Sequence, residues 1–170
     1  MHGQHGAVDR IRTFGDPVLK QETRDVSTFG EDLVGLLDTM FDVMDREQGI
    51  GLAAPQIGVQ KRILVWRDPE TEERHVLVNP RVVECSQETE AAEEGCLSIP
   101  GFTMLVERPD CVLVEGRDAL GRPLTLEASG LKARILQHEI DHLDGNLILD
   151  RTSVEERRRV LKEIRQSMEQ

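Results

Sequence analysis

Tyrosine is absent from this chain of 170 residues, and one Trp with four Phe leaves aromatics at only 3% of the composition. Proteins that bind single-stranded nucleic acid stack bases on aromatic rings, so that platform is missing. A basic excess is missing too: 21 Lys and Arg face 32 Asp and Glu, for a net charge of −11. Binding to phosphate backbones regardless of sequence needs the opposite sign. No apolar run approaches the roughly 18 residues of a transmembrane helix, and residues 1–10 have no hydrophobic centre of the kind found in secretory signals. The expectation is a cytoplasmic protein with neither membrane nor free nucleic acid as a partner. Cysteine is scarce, and Cys85, Cys96 and Cys111 are odd in number and widely spaced. That argues against a disulfide framework and leaves at least one thiol free for other chemistry.

What is present is 38% hydrophobic and 31% charged residues, enough to bury the core of one domain at this length. We expect a flexible Gly-rich leader over residues 1–10, in which His2 and His5 have no role, followed by a single domain over residues 11–170. Leu33, Leu36, Leu37, Met40, Phe41 and Met44 recur at three- and four-residue steps and predict a helix over Glu31 to Glu47. The segment Gly49 to Gly58 is too rich in Gly and Pro for a regular element and reads as a shaped loop, followed by a strand over Arg62 to Trp66. Short β-prone runs at His75 to Val78, Arg81 to Glu84, Cys111 to Glu115 and Pro123 to Glu127 are separated by turn signals at Asn79-Pro80 and Gly121-Arg122-Pro123. A second helix over Leu131 to Leu143 should stop at Asp144-Gly145. A third opens at Ser153, with Glu156 completing a capping box and Val160, Leu161, Ile164 and Met168 as its apolar stripe.

The chemistry concentrates in His138-Glu139-Ile140-Asp141-His142. Within a helix this spacing puts both imidazoles on one face, one turn apart, where they can reach a single metal ion with the Glu139 carboxylate beside them. The alternative is a pair of ordinary core or surface histidines. A catalytic site needs a third ligand, and no histidine follows His142. Cys96, in the turn-like Glu93-Glu94-Gly95-Cys96-Leu97-Ser98-Ile99-Pro100, could supply a thiolate and leave the fourth position open; a small buried hydrophobe is the other reading of it.

Three segments, Gly49-Ile50-Gly51-Leu52-Ala53-Ala54-Pro55-Gln56, Glu94-Gly95-Cys96-Leu97-Ser98 and Gln137-His138-Glu139-Ile140-Asp141-His142, resemble in order and spacing the three motifs of the peptide deformylases. The likeness runs from Phe14-Gly15-Asp16-Pro17-Val18-Leu19 to the C-terminal helix. It implies an α+β fold with antiparallel sheets packed around a central metal-binding helix, flanked by an N-terminal and a C-terminal helix. It also implies a hydrolase that removes the formyl group from the N-terminal formylmethionine of new polypeptides and releases formate. By the same resemblance Cys96, His138 and His142 are the metal ligands, with iron(II) as native ion and zinc or nickel also compatible. Glu139 is the general acid and base, and Gln56 with the Leu97 backbone N–H forms the oxyanion donors. Ile50, Gly51 and Gly95 would hydrogen-bond the peptide as an added strand, with the methionine side chain near Ile50, Leu131, Ile135 and His138. Missing Cβ atoms at Gly51 and Gly95 would let that backbone come close.

Two departures accompany the likeness. Gly101-Phe102-Thr103-Met104 stands where some relatives place a basic residue against the peptide, so that contact is absent or supplied elsewhere. Arg134 lies on the metal helix, where an ion-paired or solvated residue is expected rather than a site residue. Two rival functions are a protease with the same His-Glu-x-x-His geometry and a zinc-stabilised binding domain closed by Cys85 or Cys111. The C-terminal helix carries Arg157, Arg158, Arg159, Lys162 and Arg165 against Glu163, which leaves two readings open: contact with the ribosome, or a solvated helix whose charges are partly answered by Glu155 and Glu156.

Overall fold

The computed structural model describes residues 10–169, so most of the expected leader, with His2 and His5, lies outside the described residues. The chain runs through α1 (Glu31–Arg46), β1 (Gly51–Ala53), β2 (Ile63–Arg67), β3 (Arg74–Cys85), β4 (Thr89–Gly95), β5 (Thr103–Pro109), β6 (Cys111–Arg117), β7 (Pro123–Ser129), α2 (Gly130–Leu143) and α3 (Val154–Met168). Five strands form an antiparallel sheet in the order β1-β2-β3-β6-β7, while β4 and β5 form a separate two-stranded ribbon. This is the expected α+β arrangement, with α2 at the centre.

Alternation along β2 explains why its run Ile63-Leu64-Val65-Trp66 is apolar throughout. Leu64 and Trp66 face α2, packing with Ala133, Leu136, Ile140 and Leu143. Ile63 and Val65 face α1, packing with Leu37, Met40 and Met44. A strand covered on both faces needs apolar residues at every position. A third cluster packs Val160 and Ile164 of α3 onto Met104 and Val106 of β5. The glycine signal at the end of α2 is real: Gly145 has φ +79 and stands where a Cβ would meet the Lys20 carbonyl at 2.8 Å.

Several sequence expectations are corrected. The Gly49 to Gly58 segment contains the short strand β1 and a 3-10 turn over Ala54–Ile57. Asn79-Pro80 does not separate two strands; it is an irregularity inside the single twelve-residue β3, with register shifts between Val78 and Arg81. Asn79, at φ +54, uses its carboxamide as a substitute strand edge, accepting from Val26 N–H at 2.7 Å and donating to Val26 C=O at 3.0 Å. On α3 the Ser153 hydroxyl accepts from Glu156 N–H as expected, but the Glu156 carboxylate accepts from Leu105 N–H and Arg159 instead of closing the capping box. Met168 is exposed and adds nothing to the apolar stripe.

Candidate metal centre

Two elements build the centre. The helix α2 presents His138 and His142 one turn apart, and the turn that follows β4 brings Cys96 to them. Their ligand atoms lie within 4.8 Å of one another, with Cys96 Sγ 3.3 Å from His142 Nε2. Cys85 and Cys111 are exposed and outside this cluster, so among the described residues neither closes the site.

His138 is oriented by Glu94, whose Oε1 lies 2.9 Å from His138 Nδ1, and this leaves Nε2 to face the cluster. Glu94 is buried, which by itself would raise its pKa. Hydrogen bonds from His138 and Arg108, together with the charge of Arg108, hold it at about 2 instead. Burial also pushes the Cys96 thiol up, but the attraction and hydrogen bonds of His142 and His138 bring it well below its ordinary range. The thiolate is the form that binds metal. Glu139 is shifted the other way: burial raises it, and the neighbouring imidazoles only partly offset this. Two buried atoms at the centre, Glu139 Oε1 and His142 Nδ1, have no hydrogen-bond partner among the described residues. A half-buried thiolate, two imidazoles and a carboxylate oxygen without a partner among the described residues make a donor set suited to a divalent cation.

Gln56 stands at the same centre with its amide turned in a defined direction. Its Oε1 accepts from Ala53 N–H at 2.9 Å, so Nε2 faces inward, 3.2 Å from Ser98 Oγ and 3.7 Å from Cys96 Sγ. Among the described residues the Leu97 N–H donates to no protein group. Gln56 Nε2 is thus placed beside the thiolate, and Leu97 follows Cys96 directly in the chain. Above them a cavity of about 820 Å³ is lined by Ile50, Gly51, Gly95, Leu131, Ile135 and Glu139, among others. Ile50, Gly95 and Leu131 lie at its exposed rim and Ile135 is buried.

Gly51 has a further physical reason beside the one expected. A Cβ built there would lie 2.7 Å from Glu139 Oε2, so the missing side chain makes room for the carboxylate. At Gly95 a Cβ would meet nothing closer than Thr103 Cγ2 at 3.6 Å, which leaves the cavity side open for an approaching backbone. Phe102 and Thr103 line the cavity without supplying a cation. Arg134 also lines it, yet its guanidinium is committed to Glu94 Oε2 at 2.6 Å and to the carbonyls of Val106 and Glu90. That is the ion-paired role expected of it.

Sequence reasoning missed the support around His138. Glu94 opens the Glu94-Gly95-Cys96-Leu97-Ser98 motif, and its charge two residues before a candidate ligand was the available signal. Arg108 had none.

A profile of the polypeptide deformylase family matches residues 8–158. A peptide deformylase of Parafrankia sp. is 45% identical over 161 residues, covering 95% of this chain and 87% of that one. Among solved structures, a peptide deformylase from Plasmodium falciparum superposes with a TM-score of 0.87 at 35% identity, covering 92% of this chain and 94% of its own. One from Synechococcus elongatus, in complex with actinonin, gives 0.85 at 40% identity, covering 90% and 84%.

Proposed function

This chain belongs to the polypeptide deformylase family, and on that premise we propose that Cys96, His138 and His142 hold a divalent ion, iron(II) in the native enzyme with zinc or nickel as substitutes, for removal of the formyl group from N-terminal formylmethionine. The reading rests above all on one observation: the Gln56 amide, locked by Ala53, faces the same sulfur that His142 contacts. When bound, the ion supplies Lewis-acid polarisation and makes a nucleophilic oxygen available near neutral pH.

The remaining work belongs to the chain. Glu139, beside His138 with Oε2 4.0 Å from Nε2, takes the proton of the attacking water and later delivers it to the departing amine nitrogen. Burial raises its pKa above the ordinary carboxylate value, which makes the carboxylate a stronger base toward the proton of the water. Gln56 Nε2 and Leu97 N–H donate to the former carbonyl oxygen as charge develops on it, a contribution of about 3 kcal/mol for one fixed donor. The formyl C–N bond breaks, and formate and a free amino terminus leave. Ile50, Leu131 and Ile135 supply the apolar wall for the methionine side chain, whose flexible thioether adapts to such a surface. Ile50, Gly51 and Gly95 line the path of the peptide backbone.

The test is formate release from formyl-Met-Ala-Ser by anaerobically purified protein, run beside cleavage of an unformylated peptide. Formate alone supports deformylation, peptide cleavage supports the protease, and neither product supports a non-catalytic zinc domain. Cys96→Ser is expected to weaken metal binding, measured by chelator competition, at least as much as the ~10–100-fold loss typical of a removed supporting partner. Cys85→Ser and Cys111→Ser should leave affinity unchanged, and equal effects at all three positions would favour a closed structural site.

In this reading residues 11–170 act as one catalytic domain in the cytoplasm, on nascent chains as they leave the ribosome. Ribosome contact falls to α3. Arg159 is occupied by Glu156, Glu163 and the Thr103 carbonyl, whereas Arg158, Lys162 and Arg165 are exposed and form no ion pair among the described residues. Deleting the helix would uncover the core at Val160 and Ile164, so charge replacement is the cleaner probe. Arg158→Glu with Lys162→Glu and Arg165→Glu should preserve turnover of a small formyl peptide and reduce salt-sensitive co-sedimentation with ribosomes. Undiminished co-sedimentation would remove α3 from the account.

A further inference from the structure

Five charged side chains form a continuous row of alternating sign behind the candidate metal centre: Arg134, Glu94, Arg108, Asp141 and Arg151. Arg108 stands in the middle. Its Nε and Nη2 donate to the two oxygens of Glu94 at 2.6 and 3.0 Å, and its Nη1 donates to Asp141 Oδ2 at 2.9 Å. Arg134 closes one end on Glu94, and Arg151 closes the other with two hydrogen bonds to Asp141, at 3.0 and 2.8 Å. The side chains of Arg108 and Glu94 are each only 5% exposed.

The two carboxylates belong to the two halves of the centre. Glu94 lies two residues before Cys96 at the end of β4 and also holds His138 Nδ1. Asp141 lies on α2 between His138 and His142, immediately before the second. A single planar cation therefore grips both the element that carries the sulfur and the element that carries the imidazoles, while its hydrogen bonds go to none of the three ligands themselves. Side-chain alternation along β5 aims it: Met104, Val106 and Arg108 are the inward positions. A guanidinium with donors fixed in a plane can hold two carboxylates at a defined separation, which a single ammonium point charge cannot do.

We propose that Arg108 is a positioning residue of the metal centre, holding Glu94 and Asp141 together so that the Cys96 turn and the histidine helix keep the spacing that one ion requires, with Arg151 bracing Asp141 from outside. This rests on the reading of Cys96, His138 and His142 as metal ligands.

The test uses cobalt(II) as the probe, loaded into the full chain, with affinity from chelator competition and geometry from its visible absorption bands. Wild-type protein that fails to bind cobalt(II) would overturn the ligand reading itself. If it binds, Arg108→Lys and Asp141→Asn should raise the cobalt dissociation constant ~10–100-fold, the range for lost supporting partners, and shift the absorption bands. They should also lower kcat on formyl-Met-Ala-Ser more than they raise KM. Arg151→Gln, at a side chain 48% exposed, should keep the fold and show the same signs at smaller size. Folded variants with wild-type cobalt affinity and spectrum would overturn the proposal, even if their melting temperatures fall, because the row would then be a stability feature alone. If Arg108→Lys does not fold, Asp141→Asn and Arg151→Gln decide on the same readings.

Discussion

Glu139→Ala should lower kcat/KM for a formyl peptide about 10²–10⁴-fold, the usual weight of a positioned proton-transfer group, while the protein still carries one metal ion per chain. The expectation follows from the separation of roles at the centre. Cys96, His138 and His142 bring their ligand atoms together without Glu139, whose Oε1 is buried and has no hydrogen-bond partner among the described residues. Removing the carboxylate takes away the proton carrier and none of the three donors. Glu139→Gln, close in volume, should lose activity to the same degree and leave no void. Metal analysis beside formate release settles it: loss of the ion together with the activity would show that Glu139 holds the site together.

The second large effect is expected one step removed from the chemistry. Gly51→Ala would place a methyl group 2.7 Å from Glu139 Oε2, 2.9 Å from its Cγ and 3.0 Å from its Cδ. Gly51 is not among the positive-φ residues, so the backbone accepts alanine without strain and the whole cost falls on the carboxylate. A displacement near 1 Å of a catalytic group can cost about 10²-fold in rate. We expect a fall of that size in kcat, with metal content and melting temperature retained. Gly95→Ala is the control, because its new Cβ meets no protein atom closer than 3.6 Å. There the loss should appear in KM, where an approaching peptide backbone would feel the methyl group. Wild-type kcat in Gly51→Ala would mean that Glu139 has room to spare.

The parts of this architecture that were legible share a short-range cause. The four-residue separation of His138 and His142 placed both rings on one face of α2 before any coordinates, because a helix alone sets that geometry. The stripe from Leu33 to Met44 marked α1 by the same rule. The ribbon of β4 and β5 was invisible for the opposite reason. After Thr89, the run Glu90-Ala91-Ala92-Glu93-Glu94-Gly95 is made of residues that favour helix or turn, and it is a strand because β5 pairs with it along its whole length. In β5 the buried positions hold Met104, Val106 and then Arg108, and a charge at the third inward position breaks the period that would have revealed the strand. Asn79 misled in a related way. Asn-Pro is a turn signal locally, but here its carboxamide pairs with Val26, 53 positions earlier in the chain, and the strand continues past it.

The ribbon has a consequence for how this protein coexists with copies of itself. On its outer side β5 is covered by the bridge from Val106 to Thr152 and by Glu156 on the Leu105 N–H. Among the described residues β4 has a strand partner on one side only, and its last residues, Glu93 to Gly95, line the cavity. An unpaired edge invites any extended chain, including the same edge of another molecule, and such pairing seeds aggregation. Glu90 and Glu93 stand exposed on that strand. Two such edges meeting would set carboxylates against carboxylates and repel, whereas a single peptide strand without that charge pattern meets no such barrier. If the proposed peptide path along Gly95 holds, these carboxylates would leave the edge open to a short extended chain while keeping it from closing on its own kind.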